Sequence, residues 1–270
     1  MSWEPKTIKR PGKPLSTATE TVRVVTDAGP GFLKALGNKN GPHLLAKDLI
    51  GTQLAAWLGL PTFEYALIEV TADDEIQFKN GAVQPGPAFI TREQSGMTWG
   101  GDPADLKTLV NPADLGKLVL FDTWTRNCDR FRPDVDPTQK PKINRDNVFL
   151  SYEGLSGGKT RLLAMDHTHC FNCVGPLDLH LSKIDLVKED RIYGLFPEFK
   201  PYIYPHWQTL TDAVAKLKTL DKAWVKNIVD AIPVAWQVDA AARTALATLV
   251  CNRADYMNET FIASLGASMV

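Results

Sequence analysis

Three polar clusters in the sequence hold the residue types that phosphoryl transfer needs. Lys34 lies within Phe32-Leu-Lys-Ala-Leu36, Asp129 and Arg130 close the run Asn127-Cys-Asp-Arg130, and Asn147 and Asp166 border two short apolar runs. Moving a phosphoryl group from a nucleotide to a hydroxyl requires a cation on the phosphates, a carboxylate beside the accepting oxygen, and hard oxygen ligands for Mg²⁺. The chain offers them in that order. A lysine on a buried strand also needs a carboxylate partner, and Asp48, on the helical segment that follows, can supply one. Taken singly, each residue has an ordinary structural role as a solvated strand lysine, a helix-end ion pair or a turn asparagine. Their order and spacing make them a set.

The hydrophobic pattern says which elements must deliver them. Thr21 to Thr26 alternates β-branched residues, and Asp27-Ala-Gly-Pro-Gly31 turns the chain so that Phe32 to Leu36 returns as a second strand carrying Lys34. Leu45, Leu49, Leu54, Ala55 and Leu58 recur at helical spacing, and Gly59-Leu-Pro61 stops that helix. Strands are expected at Tyr65 to Val70 and Ala88 to Thr91. Beyond Pro112 the pattern becomes helical: Ala113 to Thr125 is strongly apolar and leads into the polar, proline-bearing stretch Arg130 to Arg145. Asn147 to Leu150 and Leu162 to Met165 read as a hairpin, and Trp207 to Leu220, Lys222 to Ala231 and Asp239 to Phe261 as helices with Pro233 as a breaker. The expectation is an α+β chain in two lobes, a strand-rich one over residues 15–111 and a helical one over 112–270, with the polar motifs between them. Residues 1–14, with Lys6, Lys9, Arg10, Lys13 and several prolines, read as a loose basic arm.

Composition narrows the function classes. The 270 residues carry 30 Lys+Arg against 31 Asp+Glu, are 44 % hydrophobic and 23 % charged, and so suit a globular chain able to bury a core. A net charge of -1 removes the whole-chain argument for a phosphate-tracking nucleic-acid binder. No apolar run approaches the ~20 residues of a membrane span, and Met1 to Lys13 has no apolar stretch to act as a signal peptide, so a cytoplasmic location is expected. Cys128, Cys170, Cys173 and Cys251 are too few to form a disulfide framework in a chain this long.

The ordered set resembles the HipA-like kinases, atypical Ser/Thr kinases related in core layout to type II phosphatidylinositol 4-kinases. The matching stretches are FLKAL at Phe32 to Leu36, KDLIGTQLAAWLGLP at Lys47 to Pro61, AFITRE at Ala88 to Glu93, NCDR at Asn127 to Arg130, DNVFL at Asp146 to Leu150, LLAMDHTHCF at Leu162 to Phe171, and the final IPVAWQ…LVCNRADYM. The resemblance implies a two-lobed protein-kinase-like fold, with ATP and Mg²⁺ held between the lobes. It implies that Lys34 contacts the nucleotide phosphates, and that Asp48 pairs with it where relatives usually have glutamate. Asp129 would be the catalytic carboxylate, Arg130 a charge screen near the transferred group, and Asn147 and Asp166 the metal ligands. Ile90 and its neighbours would form the hinge whose main chain holds adenine. A protein Ser/Thr acceptor, autophosphorylation, a toxin or stress role, and a small regulatory or antitoxin partner are further implications.

Two departures from the family pattern stand out. The step from Asp129 to Asn147 spans 18 positions, stretched by a segment with Pro133, Pro137, Pro141, Asp134, Asp136, Arg132, Lys140 and Lys142. It reads as a surface insertion at the rim of the catalytic loop, because inserted surface loops cost little and often carry function. Asn144 is the fallback metal ligand if the hairpin register shifts. No Gly-rich phosphate loop is present. The segment before the first expected strand reads Pro14-Leu-Ser-Thr-Ala-Thr-Glu-Thr21, where Ser16, Thr17 and Thr19 could line an anion nest and are candidate autophosphorylation sites.

The rival chemistry is zinc binding by His167-Thr-His-Cys-Phe-Asn-Cys173, although a structural zinc site usually draws on two separated ligand pairs and the sequence has one. A pseudokinase or nucleotide-dependent binding module, and a kinase for a lipid or small molecule, are the alternative functions. A near-neutral chain without a basic amphipathic helix argues against lipid.

Overall fold

The computed structural model describes residues 3–133, 140–173 and 175–269. Asp134, Asp136 and Pro137 of the insertion lie outside the described residues. The first half of the chain builds β1 (Ile8–Pro14), β2 (Val22–Thr26), β3 (Gly29–Lys34), helix α1 (His43–Leu58), β4 (Tyr65–Val70), β5 (Gln77–Phe78), β6 (Gly81–Ala82), β7 (Gly86–Arg92) and β8 (Gly96–Thr98). Five of these strands form one antiparallel sheet in the order β1-β2-β3-β7-β4, and β5 pairs only with β6. The basic segment expected to be a loose arm is therefore ordered over residues 8–14 as edge strand β1. Two register shifts and Pro14 suit an edge, where a missing N–H breaks no ladder on the outer side.

Alternation along the strands sorts side chains between two faces. Val22, Val24, Leu33, Ile68, Val70, Ala88 and Ile90 pack with Ile76 and Phe78 into a small outer core. Phe32, Lys34, Phe89 and Thr91 occupy the other face and look into a cleft. Helix α1 covers the far side of that cleft, buried along most of its length, and belongs to the main core with the helices of the second half. It ends as the sequence suggests: Gly59 takes a left-handed conformation (φ +87°) and its N–H caps Ala55 and Ala56.

The second half contains α2 (Pro103–Leu106), α3 (Asp114–Thr125), β9 (Phe131–Arg132), β10 (Lys142–Ile143), β11 (Phe149–Ser151), β12 (Arg161–Leu163), α4 (Ile184–Val187), α5 (Lys200–Ile203), α6 (Trp207–Lys216), α7 (Lys222–Asp230) and α8 (Ala240–Met269). Strands β12, β11 and β8 form a small sheet, so the chain that leaves the large sheet at Arg92 pairs next with the hairpin preceding Asp166. Inserted β9 and β10 pair with each other, Lys142 opposite Arg132 and Ile143 opposite Phe131. No described helix is long and apolar enough to cross a membrane.

Candidate active site

Lys34 is the last residue of β3, and its ammonium sits between two carboxylates. Its Nζ is 2.6 Å from Asp48 Oδ2 and 3.1 Å from Asp166 Oδ1, with the lysine side chain only 13 % exposed. Burial works against the charge on Lys34, but Asp166 and Asp48 more than offset it, so its pKa is raised and it stays an ammonium. Burial likewise opposes charge on Asp166, yet Lys34 and the Thr168 hydroxyl hold that carboxyl below its ordinary range. For Asp48 burial dominates and raises the pKa, with Lys34 pulling the other way. Asp48 also ties two elements together, because its Oδ1 accepts the backbone N–H of His167 at 2.7 Å. The helix carrying Asp48 thereby fixes the loop carrying Asp166. Asp166 itself has φ +52°, in the left-handed region that few non-glycine residues adopt and that aspartate tolerates better than most.

The loop after α3 delivers Asp129. Arg126 ends the helix in a left-handed turn (φ +55°) and is held by Glu189 at 2.6 Å, while the N–H of Asn127 folds back to the Asp122 carbonyl at 2.8 Å. Asp129 Oδ2 then accepts from Asn147 Nδ2 at 2.7 Å and from Asn144 Nδ2 at 3.3 Å. The 18-position gap in sequence thus closes to hydrogen-bond contact. Lys142 Nζ meets Asp129 Oδ1 at 3.1 Å, and His169 Nδ1 lies 3.5 Å from Oδ2. His169 also touches the Thr168 hydroxyl at 3.2 Å, which donates to Asp166 Oδ1 at 2.8 Å. A continuous polar path therefore joins the Lys34 cluster to Asp129.

The cleft beside these groups has a volume of about 310 Å³. Its floor holds Lys34, Asp48 and Asp166, and its walls hold Leu15, Phe32, Phe63, Phe89, Phe149 and Met165. A flat apolar slot with charge at one end suits a base joined to phosphates. Thr17, Thr19 and Thr21 line the same cleft. Their loop is held shut on itself, with the Leu15 N–H on the Thr21 carbonyl at 2.9 Å and the Thr21 N–H on Thr17 Oγ1 at 3.0 Å.

Several residues sit elsewhere than the sequence implies. Ser16 is exposed outside the cleft with Lys79 Nζ 3.4 Å from its hydroxyl, whereas Thr17 faces inward. Ile90 is fully buried in the outer core, and its backbone lies mid-ladder between Leu33 and Ala66. The Ile90 side chain therefore points away from the cleft and its strand is paired on both edges, whereas its neighbours Phe89 and Thr91 line the cleft. The crossing to the second half is made at residues 93–95, where the Ser95 carbonyl accepts the Tyr152 N–H at 3.1 Å. Arg130 is corrected too. It is 0 % exposed, its Nε pairs with Asp122 Oδ2 at 2.8 Å, and its Nη1 donates to the carbonyls of Asn147 (2.9 Å) and Met165 (2.6 Å). Arg130 braces both loops from beneath and cannot screen a phosphoryl group from there.

The zinc cluster is dispersed. His167 stacks edge-on against Phe121 with ring centroids 5.0 Å apart, Cys170 Sγ points to Thr125 Oγ1 at 3.5 Å, and Cys173 Sγ to the Arg126 carbonyl at 3.8 Å. Among the described residues no three His, Cys, Asp or Glu side chains are grouped to hold a metal. Mg²⁺ asks less of the protein, since one or two oxygen donors plus phosphates and waters suffice. The Asp166 carboxylate and the Asn147 carboxamide oxygen, left over when Nδ2 serves Asp129, are donors of that kind.

With this geometry in place, the family assignment follows from residues 32–173, which match the model of the HipA-like kinase. The chain belongs to the HipA-like kinase family. Its matched region contains Lys34, Asp48, Asp129, Asn147 and Asp166, and the family supports a kinase function. Among solved structures, the Helicobacter pylori proinflammatory kinase CtkA is similar in fold at 12 % identity and TM-score 0.56, over 96 % of each chain. HipA of Shewanella oneidensis MR-1, solved with HipB and operator DNA, aligns over 91 % of this chain and 65 % of its own at 9 % identity and TM-score 0.49. No curated protein matches the chain. The fold is the two-lobed kinase-like fold of this family.

Proposed function

We propose that this chain is an ATP- and Mg²⁺-dependent kinase that transfers the γ-phosphoryl group to a Ser or Thr hydroxyl of a protein. The observation that carries the reading is the convergence of Lys34, Asp48 and Asp166 at one end of an aromatic cleft, with Asp129 and Asn147 paired at 2.7 Å on the same polar path. ATP would place its base among Phe63, Phe89 and Phe149 and its phosphates toward Lys34 and the Thr17 loop. Bound Mg²⁺ would neutralise phosphate charge, held by Asp166 and Asn147. Asp129 would orient the acceptor hydroxyl and take its proton. Catalysis of this kind is positioning and charge stabilisation rather than covalent chemistry.

The test is incubation of the protein with γ-labelled ATP and Mg²⁺, alone and with cell lysate, beside Asp129→Ala and Asp166→Ala. Labelled protein from the native chain, and at least a hundredfold less from either variant at unchanged folding, is the expected result. Undiminished transfer by either variant refutes the role given to that residue. Mass analysis of the labelled native chain also tests Thr17 and Thr19 as autophosphorylation sites.

A further inference from the structure

The transferring phosphoryl group needs a cation on the acceptor side, and the described site leaves few to supply it. Lys34 is shared by Asp48 and Asp166 on the nucleotide side, Arg130 is sealed beneath the loops, and Arg145 is paired with Glu198 at 2.6 Å. Resting on the kinase reading above, we propose that Lys142, on the inserted strand β10, is a further catalytic residue that neutralises the phosphoryl group as it reaches the acceptor oxygen.

The pairing of β10 with β9 holds the Lys142 backbone in place. Lys142 pairs with Arg132, Ile143 with Phe131, and the Asn144 N–H continues the ladder to the Arg130 carbonyl at 2.8 Å, directly beside Asp129 in the chain. The ammonium lies 3.1 Å from Asp129 Oδ1, while Oδ2 is occupied by Asn147 and Asn144. An acceptor oxygen hydrogen-bonded to Asp129 must approach phosphorus within about 3–3.5 Å, which puts the moving oxygens within one side-chain rotation of Nζ. Lys142 is free to make that rotation, because its side chain is 52 % exposed and the Asp129 carboxylate is the partner it would leave. In the step itself the acceptor oxygen forms the new P–O bond as the bond to the β-phosphate oxygen breaks. The electron pair leaves with ADP, the acceptor proton goes to Asp129, and Lys142 stays protonated.

The experiment compares Lys142→Met and Lys142→Arg with the native chain in steady-state transfer from γ-labelled ATP with Mg²⁺, to protein and to water. Expected are a kcat about 10²-fold lower in Lys142→Met, in line with loss of one preorganised charge contact, an ATP KM within about threefold of native, an unchanged unfolding midpoint, and recovery to within about tenfold in Lys142→Arg. A kcat within threefold of native in Lys142→Met overturns the inference and leaves the kinase reading standing. So does an equal loss in both variants accompanied by a lowered midpoint, which marks a structural role. No transfer by the native chain overturns both.

Discussion

Arg130 and Asp122 form an ion pair sealed from water, Nε to Oδ2 2.8 Å, with both side chains 0 % exposed. Burial alone would push the Asp122 carboxyl upward, and the facing guanidinium opposes that. Removing one member of such a pair leaves an uncompensated buried charge, which costs about 3–5 kcal/mol. Arg130→Met should therefore lower the urea unfolding midpoint by the equivalent of that amount. Asp129→Asn, whose side chain is 13 % exposed and keeps an oxygen to accept from Asn147, should leave the midpoint nearly unchanged while abolishing transfer. Equal effects of the two substitutions on stability would contradict the separation of brace from catalyst.

Gly51 of α1 makes room for His167. A Cβ built on Gly51 would stand 2.4 Å from the His167 Cβ, a distance that forces the helix and the loop apart. That contact is one turn from Asp48, whose carboxylate holds the His167 N–H. Gly51→Ala should cost about 1–3 kcal/mol by overpacking and should also raise the KM for ATP, because the Asp166 loop moves with His167. Calorimetry and steady-state kinetics on the same preparation check both. A stability loss with an unaltered KM would show that the loop relaxes without disturbing the cleft.

Cys173 is half-buried, and its pKa is lowered to about 7, first by a hydrogen bond from the Cys128 thiol and then, against burial, by Arg126 and Arg132. The thiolate is the nucleophile, so alkylation by iodoacetamide should rise with pH through about 7 and level off above it. Cys170 and Cys251 are buried with thiols pushed upward and should react slowly across that range. Cys128→Ala removes the donor and should slow alkylation of Cys173 at neutral pH by at least tenfold. Peptide mapping after timed labelling gives the answer, and a profile centred near the ordinary cysteine value would contradict it.

Much of this site is legible in the sequence because its residues sit on elements with strong periodic signals. Lys34 follows an alternating hairpin, Asp48 a helix whose stop is written in Gly59-Leu-Pro61, and α3 ends within one residue of the loop that bears Asp129. What strand parity alone decides leaves no mark in a motif. Ile90 faces away from the cleft because its neighbours Phe89 and Thr91 face in, and a resemblance to a hinge motif carries no parity. Arg130 beside Asp129 reads as catalytic by adjacency, whereas its partner Asp122 lies eight positions back inside an apolar helix, a charge whose burial hints at a hidden cation. Strand β1 is rich in prolines and lysines, a composition that reads as a loose arm and that an edge strand also tolerates. The contact of Lys142 with Asp129 depends on where β10 packs, and that of His169 on the loop after Asp166, tertiary placements for which no local pattern exists.

The Lys34–Asp48 pair gives the remaining prediction. A shorter carboxylate in place of glutamate still reaches the ammonium at 2.6 Å, because α1 packs close enough for the same carboxylate to hold the His167 N–H at 2.7 Å. If Asp48 acts by aiming Lys34, then losing Lys34 first should leave little for Asp48 to do. Lys34→Met should reduce kcat/KM for labelled transfer by at least 10²-fold and Asp48→Asn by about tenfold or more. The double variant should be no worse than Lys34→Met, a coupling of about 1–3 kcal/mol as expected for residues in direct contact. Asn at position 48 keeps an oxygen for the His167 N–H, so its loss should appear in kinetics more than in the unfolding midpoint. Additive losses in the double variant would mean that Asp48 contributes through the Asp166 loop independently of the lysine.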